Sequence, residues 1–449
     1  MNYKRLFLLI SALMILTLIL GACSPGIEVD NAADELSEEP TEGEVVEKVE
    51  APAVDESETS SEPVTITFWH AYNADVEAKF LDEILIPAFE AENPDIKVQS
   101  VLVPYDQFRR KLLIALSGGT APDLARVDIL WVPELADQGA LANMDELWTD
   151  FDVFLPGPLS TNLYNGSHYG LPLDTNTRVL VYNKAMFEEA GVAEPPSTME
   201  DFLTACEQIK ASGQEKYCFA DGGTYAWAVN PWIWSFGGDV TDPDITTTDG
   251  YFNGPETVAA YQFLKDAVDD GYLHPGILGG GVDAWGGFGQ DQIAMLLEGP
   301  WFPALFEGQF PDKEYGLALM PAGVGGSVSV VGGEDIVLFQ QSQNKAAAIR
   351  FLEYLLSEDV QLQLATTGQM PVIKSAIDSD FVQNHDFFGI FLEQLATAKA
   401  RTPHPNWSQI EEILTNTGTA ILNGTISVEN GLDDAVEMMD PLLPLQILD

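Results

Sequence analysis

Aromatic, carboxylate and amide residues recur along this chain at one kind of place, just after stretches patterned as β-strands. Trp69, His70 and Tyr72 close the first such stretch, and Asp128 and Trp131 follow the third. Asp174 and Asn176 stand where the chain enters its second half. Asn230 and Trp232, Trp285, Trp301 in Gly299-Pro300-Trp301, Gly333 and Glu334, and Trp407 after Asn406 complete the set. A pyranose has apolar C–H faces that pack on indole and phenol rings, and a rim of hydroxyls that needs the planar acceptors and donors of Asp, Glu and Asn. Each tryptophan alone is as well explained by core packing. Their shared position marks them as one set, because ligands of open α/β sheets gather beyond the carboxyl ends of the strands.

Other chemistries find no comparable pattern. With 70 acidic residues in the chain, carboxylate pairs at glycosidase-like separations are unavoidable, and no spacing singles one out. There is no Gly-x-Ser-x-Gly elbow, no phosphate loop and no His-Glu-x-x-His. His70, His168, His274, His385 and His404 are too dispersed for a metal site, and Asp239, Asp242, Asp244 and Asp249 miss the EF-hand spacing. We therefore expect no metal, no cofactor and no catalytic residue. A formal net charge of -50 argues against nucleic acid and leaves a cation or a neutral polar solute as the better ligand.

The elements that position these residues follow from periodicity. Val64 to Trp69 alternates as a strand, Val76, Phe80, Ile84 and Ala88 recur at helical spacing, and Ile96 to Val103 is a second strand. A helix with Phe108, Leu112, Ala115 and Leu116 on one face, stopped by Gly118-Gly119, leads to a strand at Leu124 to Ile129. This β-α-β-α-β order predicts an α/β fold with mostly parallel sheets flanked by helices. Strands are expected again at Arg178 to Tyr182, Gly316 to Met320 and Val328 to Phe339. Helices are expected after a capping box in Ser197-Thr198-Met199-Glu200 and after an Asn344 cap. Cys206 and Cys218 form a local disulfide or stay as two buried thiols; their spacing leaves both open.

Lys4 and Arg5 precede an apolar run from Leu6 to Leu20 that is short for a bilayer span and ends at Leu20-Gly21-Ala22-Cys23. Residues 1–22 read as a signal peptide, and the ending resembles a bacterial lipobox, which implies lipid on Cys23 and a place on the outer face of the cytoplasmic membrane. Residues 24–63 are acidic, with scattered proline and almost no aromatics, a composition that reads as an extended tether.

Over nearly the whole body the chain resembles the extracellular solute-binding proteins of family 1, the maltodextrin-binding-like receptors of ABC importers. The resemblance rests on Thr67-Phe68-Trp69-His70, on Phe89 to Val98, on Gly118-Gly119-Thr120-Ala121-Pro122-Asp123-Leu124 and on Tyr169 to Asn176. It continues through Val181-Tyr182-Asn183-Lys184, Gly299-Pro300-Trp301 and the strand-Gly-Gly-strand around Gly333. It implies a two-lobed fold with ligand between lobes at 64–174 plus 326–376 and 175–325 plus 377–449. It also implies a monomer that binds a sugar or oligosaccharide and serves ABC permease subunits. Trp232 and Trp301 resemble the family's stacking aromatics, Asp128 a carboxylate for sugar hydroxyls, and Trp407 a late cleft aromatic. Asn230 stands where some relatives carry Glu, a departure from maltose specificity. A polyamine receptor on the same fold and a lipid-anchored glycoside hydrolase remain as alternatives.

Overall fold

Residues 62–213, 215–278 and 283–444 are described by the computed structural model. The leader, Cys23, the tether up to residue 61 and Gly279-Gly280-Gly281 lie outside them. In chain order the strands are β1 (Val64–His70), β2 (Ile96–Leu102), β3 (Leu124–Asp128), β4 (Leu163–Tyr164), β5 (Ser167–His168), β6 (Leu171–Asn176), β7 (Val179–Asn183), β8 (Tyr217–Ala220), β9 (Ile293–Glu298), β10 (Tyr315–Ala318), β11 (Val330–Leu338) and β12 (Lys399–Ala400). Among the described residues, one sheet has the order β12-β11-β3-β1-β2, with β6 also paired to β11. A second has the order β10-β7-β9-β8, and β4 and β5 form a separate ribbon.

The first β-α-β-α-β stretch is as the periodicity requires, with β1 parallel to both β2 and β3. Long-range pairing supplies what local pattern does not: β11 returns antiparallel between β3 and β6. In the second sheet β8, β9 and β10 share one direction and β7 opposes them. Each sheet buries its own core, one around Phe68, Phe89 and Phe351, the other around Phe202, Phe219 and Trp232.

Two caps differ from expectation by local geometry. The capping box forms one residue later, with Thr198 as N-cap and Asp201 as its reciprocal partner, because Ser197 spends its hydroxyl on the Asp201 carboxylate. Asn344 takes the N-cap position of Lys345–Leu355 without capping it; its amide donates instead to Thr65 O and Asp123 Oδ1. Cys206, in the helix Met199–Ser212, and Cys218, in β8, are joined by a disulfide.

The chain passes from the first sheet to the second through Thr177-Arg178, between β6 and β7, and returns between β10 and β11. It crosses again after β12, where the helix Trp407–Leu422 joins the second core. These passages are laced together. Ser329 Oγ donates to Arg178 O at 2.7 Å, Lys399 N to Ser329 O at 2.9 Å, and Thr397 Oγ1 to Ser327 O at 2.7 Å.

Candidate functional site

The ends of β3 and β6 meet the middle of β11 near the crossing. Register places Glu334 of β11 opposite Asp128 of β3 on one side and Asp174 of β6 on the other, with Asn176 opposite Gly332. Arg126, two residues before Asp128 and so on the same face, resolves the crowding of charge. Its guanidinium is bidentate to Asp174 at 2.9 and 3.1 Å, reaches Glu334 at 2.7 Å, and lies 4.2 Å over the Tyr72 ring. Burial still pushes the Glu334 carboxyl well above its ordinary value, with Arg126 acting against the shift and Asp174 adding to it.

Beyond this floor lies a cavity of about 610 Å³. Asp128, Asn176, Gly332, Gly333 and Glu334 line it from the first sheet, with Tyr105 donating to Asp128 Oδ2 at 2.7 Å. Tyr225, Trp227 and Trp301 face them from the second lobe, and Trp227 and Trp301 are stacked with centroids 6.4 Å apart. The glycine pair is required by close approach. A Cβ on Gly332 would meet Asn176 Oδ1 at 2.3 Å and the Trp227 ring at 2.5 Å. One on Gly333, at φ +129°, would meet Asp174 O at 2.3 Å.

The helix Trp407–Leu422 contributes Ser408, Glu411, Glu412, Thr415 and Asn416, a polar stripe at i, i+3, i+4, i+7, i+8. Arg401, after β12, closes the cavity 5.3 Å over the Trp227 ring and 3.5 Å from Asp128 Oδ1. Burial raises the Glu411 carboxyl, with Arg401 partly offsetting the effect. Two buried polar atoms of lining residues have no protein partner, the acceptor Asn176 Oδ1 and the donor Arg401 Nε.

A second chamber of about 470 Å³ shares Tyr225, Trp227 and Trp301 with the first and continues to Asp221, Trp285 and Glu298. Arg178, from the crossing segment, fixes this wall. It donates to Trp227 O at 3.0 Å, to Leu297 O at 2.6 and 3.1 Å and to Asp221 Oδ2 at 2.8 Å.

Of the residues singled out from the sequence, the structure brings Asp128, Asn176, Trp301, Gly333 and Glu334 to the first chamber and Trp285 to the second. The others lie behind the walls. Trp69 packs edge-on against Phe108, and Trp131 stacks on Tyr105 and Phe108. His70 is fully buried with Nε2 2.8 Å from Ser100 Oγ; burial and then Arg126 lower it to about 3, so it is neutral. Tyr72 and Asp174 hold Arg126. Asn230, Trp232 and Trp407 are at most 2% exposed. Trp232 is wedged among Phe202, Phe219 and Phe263 and belongs to the core, not the cleft.

The stacking partner of Trp301 is Trp227, which is not among the residues that follow predicted strands. At 100° per residue Trp232 sits about 140° round the helix Ala226–Ser235 from Trp227. A helical wheel therefore separates the two. The stripe beginning at Ser408 was legible by the same rule, and Trp407 is on the opposite, apolar face with Ile410 and Leu414.

A cleft between two α/β lobes crossed repeatedly by the chain is the geometry of a solute receptor, and comparison with known proteins agrees. Residues 74–362 match the family described as bacterial extracellular solute-binding protein. The chain is 30% identical over 368 residues to a binding protein of Brucella abortus strain 2308, covering 79% of this chain and 88% of that one. Its fold is similar to that of the GacH receptor of Streptomyces glaucescens, solved unliganded and with acarbose, with a TM-score of 0.78 and 26% identity, covering 85% of this chain and 99% of that one. An ABC transporter solute-binding protein from Thermotoga lettingae bound with α-D-tagatose gives 0.76 and 29%, covering 85% and 100%. With the match spanning most of the two-lobed body and the cleft in the place such a receptor needs it, the chain belongs to the bacterial extracellular solute-binding proteins.

Proposed function

We propose that the protein captures a sugar or oligosaccharide in this cleft by lobe closure and delivers it, unaltered, to the permease of an ABC importer. The observation that carries the reading is the pairing of stacked Trp227 and Trp301 with two unsatisfied buried groups, Asn176 Oδ1 and Arg401 Nε. A buried donor and a buried acceptor left unpaired each cost about 1–3 kcal/mol. Lobe closure around a hydroxyl-bearing ring would bring hydroxyls to both while its C–H face covers an indole. The saccharides bound by the Streptomyces and Thermotoga proteins support the same class.

Closure is read as a hinge motion about 176–179, 327–331 and 397–401, the segments that join the sheets. The lobes would be 64–174 plus 326–376 and 175–325 plus 377–449, held near the outer face of the membrane by lipid on Cys23. Among the described residues no helix is long and apolar enough to cross a membrane. Calorimetric titration against mono- and oligosaccharides tests the proposal. Saturable binding with the sugar recovered intact is expected; binding of a polyamine with no saccharide bound would overturn it.

A further inference from the structure

The second chamber holds a carboxylate with no salt-bridged cation among the described residues. Its walls are Tyr225, Trp227, Trp285 and Trp301, with Asp221 and Glu298 between them and Asp283 at the rim. The guanidinium lining it, Arg178, is already spent on Asp221 and on the carbonyls of Trp227 and Leu297. Glu298 accepts from Trp285 Nε1 at 2.7 Å and has no salt-bridged cation among the described residues. Burial, with Asp221 nearby, raises its carboxyl despite Arg178. Indole and phenol faces beside Glu298, a carboxylate without a salt-bridged cation, form a receptor for a positive charge, which the ring quadrupoles and that carboxylate attract together.

We infer that the ligand is a saccharide bearing a protonated amino group, with its ring in the first chamber and its ammonium in the second, against Glu298 and the faces of Trp285 and Trp301. The inference rests on the saccharide reading of the cleft and narrows it. Tyr225, Trp227 and Trp301 line both chambers, so the two lie side by side and one ligand can contact both. A free polyamine has donors only and leaves the Arg401 Nε donor unpaired, whereas an amino sugar offers hydroxyl acceptors as well as an ammonium.

The test is titration calorimetry of the full chain with three matched sets: glucosamine oligomers, their N-acetylated counterparts and glucose oligomers of equal length. The aminated set is expected to bind about tenfold tighter than either other set, a ratio that shrinks as salt is raised. Glu298→Gln, which is isosteric, and Asp283→Asn, at the rim, should each reduce that ratio, with unfolding midpoints checking that both variants fold. Equal affinity across the three sets overturns the amino-group inference and leaves the saccharide reading standing. Binding of none of them, with binding of spermidine, overturns both.

Discussion

At the scale of single residues, the three tryptophans Trp227, Trp232 and Trp301 separate binding from stability. Trp227→Ala or Trp301→Ala removes a stacking face and should weaken saccharide binding by about 1–3 kcal/mol in calorimetry, with little change in unfolding. Trp232→Ala opens a cavity among Phe202, Phe219 and Phe263 and should cost about 3–5 kcal/mol of stability in denaturant titration, with affinity retained in the fraction that stays folded. The reverse pattern would return Trp232 to the cleft. A second residue makes a pH prediction. Asp335, fully buried beside Glu334, is raised by burial to about 7, against hydrogen bonds from Asn162 and Thr161. The folded state thus binds the Asp335 proton more tightly than the unfolded chain does. The group's stabilising effect is complete below the ordinary carboxylate range and is lost as pH rises towards about 7. Unfolding free energies of the wild type and Asp335→Asn, compared from pH 4 to 8, should diverge in that window and run parallel above it; parallel profiles throughout would show that Asp335 is ionised in the fold.

At the scale of elements, legibility followed the range of the interaction. Amphipathic segments such as Tyr105–Ser117 and the alternating β1 carry their own period, so they were readable to within a residue or two. β8 and β9 lie beside and within residues 221–301, which are rich in aromatics and glycine, and there Ile293-Ala294-Met295-Leu296-Leu297 is a uniform apolar run, buried on both faces and without alternation. β6 is likewise buried throughout. Such strands are defined by their partners. The candidate site divides the same way: Asp128, Asn176, Gly333 and Glu334 were found because they follow or interrupt strands. Arg178 and Arg401 were not, since nothing in their neighbours reveals that they end up against Trp227. The disulfide is an element-scale feature too, tying Met199–Ser212 to β8 across a sequence separation of 12. Closing a loop of that length constrains the unfolded chain by about 3 kcal/mol. The double variant Cys206→Ser, Cys218→Ser should therefore lose about that much stability in denaturant titration and keep its ligand affinity, because neither cysteine lines a chamber.

At the scale of the whole molecule, charge bears on the proposed attachment to a membrane. The chain has 70 acidic against 20 basic residues, and the segment following Cys23 is itself acidic. An anionic lipid surface repels such a chain, where a polybasic segment would gain about 1 kcal/mol per cation. Electrostatic adsorption is thus unavailable, and one acyl chain alone holds a protein only marginally. On the proposal made above, retention comes from the lipid on Cys23, which would keep the cleft concentrated near the permease. Cys23→Ser, still exported, should appear in the medium and not in the membrane fraction, and lowering the salt should not bring it back, since weaker screening lengthens the repulsion from about 8 Å to about 30 Å. Its saccharide affinity should equal that of the anchored form, because every lining residue lies in the body. Membrane retention of the Cys23→Ser protein would mean instead that the apolar run from Leu6 to Leu20 is left uncut and serves as the anchor.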